Sequence, residues 1–477
     1  MMNKKQALAL LEKRRYFKES DEEVLTQILE VIDRGNPKRG VARDYEVQRK
    51  LVEAFGESYS TLRSYVQMKK SSSKDFRKVC PRTLGWLNDY LDIVEGAESP
   101  GIFLASSAIS ALSFAIGRKY FTKYLLHRTY PATSTVLVGP SGSKKSSAIK
   151  FADTLIKPFL DLYTYQSDVA NENAKSKVTI VRDKTTPEGL INRLRQPDPS
   201  KAQTAYLVFP ELATGFGKQS YQSGLIPLLT RLLDQDDYFQ ENTISRERVE
   251  VYNTTVILLG ATTEEWLLKE ITPAVIAGGT TSRINFVASD ATYLIAPGLS
   301  TDIEKELQSL GGSIFFALER VESSRVGWTK DATEAFEFEY TEHKVKTQNS
   351  DELTSLGSGW ASRKFDHLAK LCLLFAISDG RSKIAIKDVE NGLFYLDYIE
   401  KSGLGLFKKL TSHPMKQLEE KILTTLKSPM SVGEITDIFA DQSPSEVRKI
   451  LGDLVQVGLL QVQGYKFAPI SKKKGEK

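Results

Sequence analysis

The chain has 477 residues, 41% hydrophobic and 26% charged, which is too long for one ordinary core and too apolar for disorder, so two to four domains are expected. A net charge of +5 permits nucleic acid as a partner without requiring it. The two cysteines, Cys80 and Cys372, stand far apart and exclude a disulfide framework or a cysteine zinc site, and the opening "MMNKKQALALLEKRR" lacks a signal peptide's apolar run, so a cytoplasmic chain is the expectation.

Residues 1–80 form a helical region in this reading. Ser20 and Glu23 make a capping box before "EEVLTQILEVID", and "RGNPKRG" breaks the pattern. Two helix-period segments joined at Gly56, "DYEVQRKLVEAFGESYSTLRSYVQMKK", then outline a helix-turn-helix, with Ser58, Ser60, Thr61, Arg63 and Lys69 on or near a groove-reading helix. Lys38, Arg39 and Arg43 stand nearby for phosphates; an ordinary helical hairpin would give the same pattern. After the serine-rich joint at 69–78, residues 81–130 are expected to be a helical bracing segment. Its stretch 99–117, "SPGIFLASSAISALSFAIG", is uncharged but holds five serines at the lower edge of spanning length, so it predicts a buried helix and no membrane partner.

Over 131–290 short apolar runs ("STVLVG", "KVTIVRD", "TAYLVFPE", "TTVILLGATT") alternate with helical ones, which predicts an α/β core with a parallel sheet. The first run leads into "GPSGSKKSS", Gly139, Pro140, Ser141, Gly142, Ser143, Lys144, Lys145, Ser146 and Ser147, which fits G-x-x-x-x-G-K-[ST] except that Lys144 replaces the second glycine. Backbone amides of such a loop and the following helix N-terminus cradle phosphates; Lys145 would reach the β and γ phosphates of ATP, and Ser146 would hold Mg²⁺. Lys144 is expected to keep ordinary helical backbone angles and to add a second positive charge beside the triphosphate.

The strand "AYLVFPEL" brings Glu211 to the sheet's C-terminal edge, next to Ser146 in this reading, where it would polarise the attacking water. Pro210 stands where an acidic residue would be usual, so Asp183 on the neighbouring strand is the candidate outer carboxylate for Mg²⁺. Thr262 ends a later strand, where it could hold the water or meet the γ-phosphate, and Arg283 in "AGGTTSRINFV" could stabilise the transferring phosphoryl group in its own subunit or a neighbour's. Between them "DQDDYFQENTISRERVEVYN" reads as a projecting hairpin whose Arg246 and Arg248 could grip a DNA strand.

Residues 291–412 turn helical, with two amphipathic helices around a turn from Ser362 to Gly403. Residues 413–470 give helix, short helix, second helix and small hairpin, the order of a winged helix, in which Ser443, Ser445, Arg448, Lys449 and the wing's Lys466 would face DNA. Winged helices also serve as protein contacts, and Glu446 and Asp453 on the same helix keep that reading open. A basic tail, 471–477, ends the chain.

From about residue 99 to 400 the chain resembles the AAA+ replicative helicase ATPases, above all phage- and plasmid-borne helicase or primase-helicase proteins, on "GPSGSKKSS", "TTPEGLINRL", "FPEL", "ILLGATT" and "GGTTSRINFV". The last is similar to the S-R-F segment of minichromosome-maintenance helicases, which implies an arginine finger at Arg283 supplied across a subunit interface. The resemblance further implies an AAA+-like P-loop core with a helical lid, a γ-phosphate contact from Arg363, and a ring, most simply a hexamer, working with DNA and a primase or polymerase. The function expected is a replicative helicase that couples ATP hydrolysis to DNA unwinding or translocation. Its alternative is a replication initiator or loader with slow hydrolysis, favoured by Lys144 and Pro210; a small-molecule kinase would leave both helix-turn-helix outlines unexplained.

Overall fold

The protein's structure is a computed structural model that describes residues 4–13, 27–29, 31–32, 47–51, 75–124, 127–169, 178–182, 185–195, 202–214, 224–243, 246–270, 279–289, 302–349, 355–412, 418, 421–423, 425–426, 428–439, 443–456 and 460–469. The proposed groove-reading residues Arg63 and Lys69, the carboxylate Asp183 and the basic tail lie outside the described residues.

In chain order the elements begin with α1 (Lys4–Lys13), α2 (Phe76–Val79), α3 (Trp86–Ile93), α4 (Gly101–Ile116) and a hairpin of β1 (Thr122–Tyr124) and β2 (His127–Thr129). The α/β portion follows with β3 (Thr135–Val138), α5 (Lys145–Val169), β4 (Val178–Arg182), α6 (Pro187–Leu194), β5 (Gln203–Phe209), α7 (Leu225–Leu232), β6 (Tyr238–Thr243), β7 (Arg246–Tyr252), β8 (Thr254–Thr262), α8 (Glu264–Glu270) and β9 (Asn285–Ala288). Next come α9 (Ile303–Glu319), β10 (Gly327–Trp328), α10 (Lys330–Asn349), α11 (Ser355–Ser378), β11 (Lys383–Ile384) and α12 (Ile386–Ser412). The last elements are β12 (Met430–Ser431), α13 (Val432–Ile438), α14 (Pro444–Gln456), β13 (Leu460–Gln463) and β14 (Lys466–Pro469).

Five strands make a parallel sheet in the order β4-β5-β8-β3-β9. Their side chains alternate between two cores, as the pleat requires. Leu137, Tyr206, Val208, Ile257, Leu259 and Val287 face one side, covered by α4, α5, α9, α11 and α12. Val136, Val138, Leu207, Phe209, Leu258 and Phe286 face the other, covered by α6, α7 and α8. Fully burying each such side chain contributes about 1.5–3 kcal/mol, which is why the strands read as unbroken apolar runs.

The uncharged stretch is indeed core: all residues of α4 are buried, and α4 packs on α5 and on the sheet. Two of its serines are paired: Ser110 donates to Thr135 Oγ1 and Tyr395 donates to Ser106 Oγ, both at 2.8 Å, while the buried hydroxyls of Ser107 and Ser113 have no side-chain or backbone partner among the described residues. No helix of the described residues is long and apolar enough to cross a membrane.

Two expectations need correction. The stretch 122–129, expected to be helical, forms the β1–β2 hairpin, because aromatic and β-branched residues at alternating positions favour a strand. The first of the two amphipathic helices does not begin at Ser362: α11 starts two turns earlier, at Ser355, so Arg363 lies within it. The two amphipathic helices themselves are present as α11 and α12, joined through Gly380 at φ +73° and packed along each other. Lys364 is buried between them and donates to Asp397 and Glu400, each at 2.6 Å.

Residues 418–469 build a separate small core from Leu418, Ile422, Leu426, Ile435, Val447, Ile450, Leu454 and Leu460. A three-stranded antiparallel sheet, β12-β14-β13, backs α13 and α14. Ser431 caps α13 reciprocally: its hydroxyl accepts the Glu434 N–H, and the Glu434 carboxylate accepts the Ser431 N–H at 2.7 Å.

Candidate functional site

The connection after β3 crosses one face of the sheet through α5, whereas the connection after β8 starts on the opposite face with α8. Neighbouring parallel strands whose connections diverge leave a crevice beyond their carboxyl ends, the usual place for a ligand in an open α/β sheet. Here β3 and β8 are those strands, and Gly139 to Ser147 occupies the crevice.

The loop's geometry is demanding. A Cβ on Gly139 would meet the Ser289 carbonyl oxygen at 2.6 Å, and Gly142 takes φ +84°. Lys144 takes φ +55°, which corrects the expectation of ordinary helical angles. The fold keeps the left-handed turn that a glycine would enter freely, and the lysine bears the steric cost, about 1–2 kcal/mol. Its side chain also departs from expectation: Nζ pairs with Glu98 Oε2 at 2.7 Å, directing the extra charge to the residues just before α4. The Lys144 carbonyl is held as well, by the Ser99 hydroxyl at 2.8 Å.

Lys145 starts α5 and curls over the loop. Its ammonium donates to the carbonyls of Gly139 at 2.8 Å and Pro140 at 2.7 Å, and to Ser143 Oγ at 3.1 Å. Burial lowers its pKa, while the negative charge of Glu265 acts in the opposite direction. Pro140, Ser141, Gly142 and Ser146 are exposed around this half-buried lysine, and the amides of Lys145 and Ser146 precede the first helical bond of α5, in which Ser147 donates to the Lys144 carbonyl at 3.1 Å. A pre-set lysine, a ring of backbone amides and a helix N-terminus form an anion cradle.

Thr262 ends β8 directly beside the loop. It pairs in register with Val138, and its carbonyl accepts the Gly139 N–H at 3.2 Å. Glu211 is exposed two residues beyond Phe209, the last residue of β5 and the partner of Gly260. With β8 between β5 and β3, the strand that leads to Glu211 stands two strand spacings, roughly 10 Å, from the loop's strand. The edge strand β4 is one spacing further still from the loop's strand, and Asp183, which follows it in sequence, lies outside the described residues. Among the described residues no three His, Cys, Asp or Glu side chains cluster as a metal site. Sequence reasoning missed Glu264 and Glu265, which open α8 directly after Thr263 at the crevice. An acidic pair after a strand-ending threonine was the available signal.

No protein-family model matches the chain, and no curated protein matches it.

Arg283 and Arg363 lie elsewhere, at the edge where the strands begin. Arg283 ends a 3₁₀ turn, Thr281–Arg283, ahead of Asn285, which pairs with Thr135 at the start of β3. Arg363 reaches the same place from α11, where the neighbouring Trp360 donates to Asn285 Oδ1 and His367 contacts the Ser282 carbonyl, both at 3.0 Å. Both guanidiniums bind one carboxylate. Arg283 Nε and Nη2 donate to Asp234 at 2.7 and 2.5 Å, and Arg363 Nη1 donates at 3.0 Å. Burial works against ionised Asp234, but the hydrogen bonds and charges of the two arginines prevail and lower its pKa.

The expected hairpin also rises from this edge. Strands β6 and β7 pair antiparallel with Thr243 opposite Arg246, so Arg246 stands at the closed end and Arg248 two residues below it. Tyr238 and Tyr252 pack near the base, with ring centroids 5.0 Å apart. On α14, Ser445, Arg448 and Lys449 are exposed together on one face, while Lys466 starts β14 half-buried. Tyr465, at the turn between β13 and β14, is 79% exposed, a third residue that sequence reasoning passed over.

Proposed function

We propose that this chain is an ATPase that acts on DNA, a replicative helicase of the AAA+ kind from a phage- or plasmid-type system, working as a ring. The observation that carries the reading is the loop at the β3–β8 crevice, whose Lys144 holds a left-handed backbone at the position where the phosphate-loop pattern has glycine. A protein retains that cost where the turn itself is needed.

In this reading the amides of Ser141 to Ser146 and the Lys145 ammonium bind the ATP phosphates, which replace the loop oxygens that Lys145 now contacts. Ser146 is the side chain offered to Mg²⁺, and one hydroxyl fits an ion that retains waters and is held chiefly by phosphates. The ion's chemistry would be neutralisation of charge on the β and γ phosphates. Glu211 takes a proton from the water that attacks the γ-phosphorus, ADP leaves, and Thr262 orients the water.

Arg283 and Arg363 stand at the sheet edge opposite the loop, too far to serve it within one subunit. Both therefore act on the nucleotide of a neighbour, which requires a ring or a filament, the ring being the form the resemblance implies. The helices α11 and α12 are the lid, the β6–β7 hairpin grips the strand in the channel, and residues 418–469 form a winged helix that contacts DNA through Arg448, Lys449 and Lys466.

A second reading, an initiator or loader with slow turnover, is favoured by Pro210, which leaves β5 without the usual acidic residue before Glu211. ATP turnover with and without single-stranded DNA decides between them. A helicase hydrolyses ATP faster on DNA; slow turnover that DNA leaves unchanged favours the switch.

A further inference from the structure

We propose that Asp234 is a positioning residue that holds Arg283 and Arg363 side by side as one two-guanidinium unit for the neighbouring subunit's terminal phosphates; this rests on the ATPase reading above.

The two arginines come from separate elements, a 3₁₀ turn and α11, and their charges repel. Asp234 joins them: Arg283 binds it through two N–H groups, which fixes the guanidinium plane, and Arg363 shares one of the same oxygens. Arg283 also donates to the Gly279 carbonyl at 2.6 Å, so three of its five N–H groups are committed. Arg363 has one N–H on Asp234 and a side chain 34% exposed. One carboxylate between two guanidiniums leaves a net positive pair with open donors, suited to a phosphate.

The carboxylate itself is firmly set. Asp234 follows α7 in a turn whose next residue, Gln235, takes φ +62° and is buried. The Gln235 carbonyl accepts from Arg118 at 3.2 Å, and the same Arg118 guanidinium pairs with Asp237 and donates to the Thr254 carbonyl at 2.7 Å. The Asn253 N–H donates to the Asp237 carbonyl at 2.8 Å, closing the base of the β6–β7 hairpin. The turn that presents Asp234 to the arginines is thus the root of the hairpin.

The test is steady-state ATP hydrolysis by the full chain with Asp234→Asn, Arg363→Ala and the double variant, each first checked for a parent-like melting temperature and assembly. The expected result for Asp234→Asn is a fall in kcat of about tenfold or more with KM for ATP unchanged, because the arginines act on charge that develops only in the transition state. Asp234→Glu should recover part of the loss. The double variant should lose more than Arg363→Ala alone but less than the product of the two single losses, since Asp234 then has only Arg283 left to position. A parent-like kcat for Asp234→Asn, or losses that simply multiply in the double variant, would overturn the positioning role while leaving the ATPase reading intact. A parent chain that hydrolyses no ATP would overturn both.

Discussion

The Lys144 ammonium lies 2.7 Å from the Glu98 carboxylate, so the residue that breaks the phosphate-loop pattern is tied by its side chain to the segment that leads into α4. This exposed pair contributes at most about 1 kcal/mol, comparable to the cost of the lysine's left-handed backbone. Lys144→Gly should therefore leave stability within about 1 kcal/mol of the parent, since relief of strain is offset by a freer unfolded chain. It should also retain ATP affinity. Lys144→Val should lose stability and weaken ATP binding, because a β-branched residue tolerates positive φ poorly. Melting curves with nucleotide titrations check both, and equal behaviour of the two variants would contradict the strained-loop account.

Arg283 on the edge opposite the loop makes the ring testable by mixing. Arg283→Ala subunits should bind ATP and fail to hydrolyse it, and Glu211→Gln subunits should do the same for lack of a proton acceptor. Mixed rings contain interfaces where an intact Glu211 meets an intact Arg283, so hydrolysis should return from two inactive parents. Mixed assemblies, verified by mass, that stay inactive would reject donation between subunits.

Stability should fall on mild acidification. Burial, helped by the Lys370 charge, pushes the His367 pKa down to about 3, and burial with the Lys364 charge lowers that of His343. Both are neutral in the folded chain, while in the unfolded chain each takes up a proton near pH 6.5. As pH drops below about 6.5, unfolding binds protons and stability declines, by up to about 1.4 kcal/mol per pH unit for each histidine. Urea unfolding between pH 7 and 5.5, above the carboxylate range, reads this slope. His367→Gln should make the slope shallower by nearly one proton; a flat parent profile would contradict it.

What the sequence made legible was local. The strand, loop and helix around Lys145 follow one another within a single stretch, as do the β6–β7 hairpin and the paired helices α11 and α12, and hydrophobic period and turn residues suffice to read them. What it hid depends on tertiary packing. Strand order sets β8 between β5 and β3, so it is Thr262 that ends the strand next to the loop's own. Arg283 and Arg363 meet at Asp234 across sequence separations of 49 and 129 residues, and no spacing rule connects such positions. The Lys144 backbone was misjudged for a different reason: its residue type argued for ordinary angles, and the needs of the loop overrode that preference.

Equilibrium binding of ATP to the parent chain and to Lys145→Ala, with magnesium present, tests the central claim most directly. Lys145 is the one loop side chain whose charge can reach the terminal phosphates in this account, and hydrogen bonds to charged groups contribute about 1.5–3 kcal/mol. The account predicts saturable binding by the parent and a loss of roughly tenfold or more in the variant, at an unchanged melting temperature. Equal affinity in a folded Lys145→Ala chain, or a parent that binds no nucleotide, would contradict it.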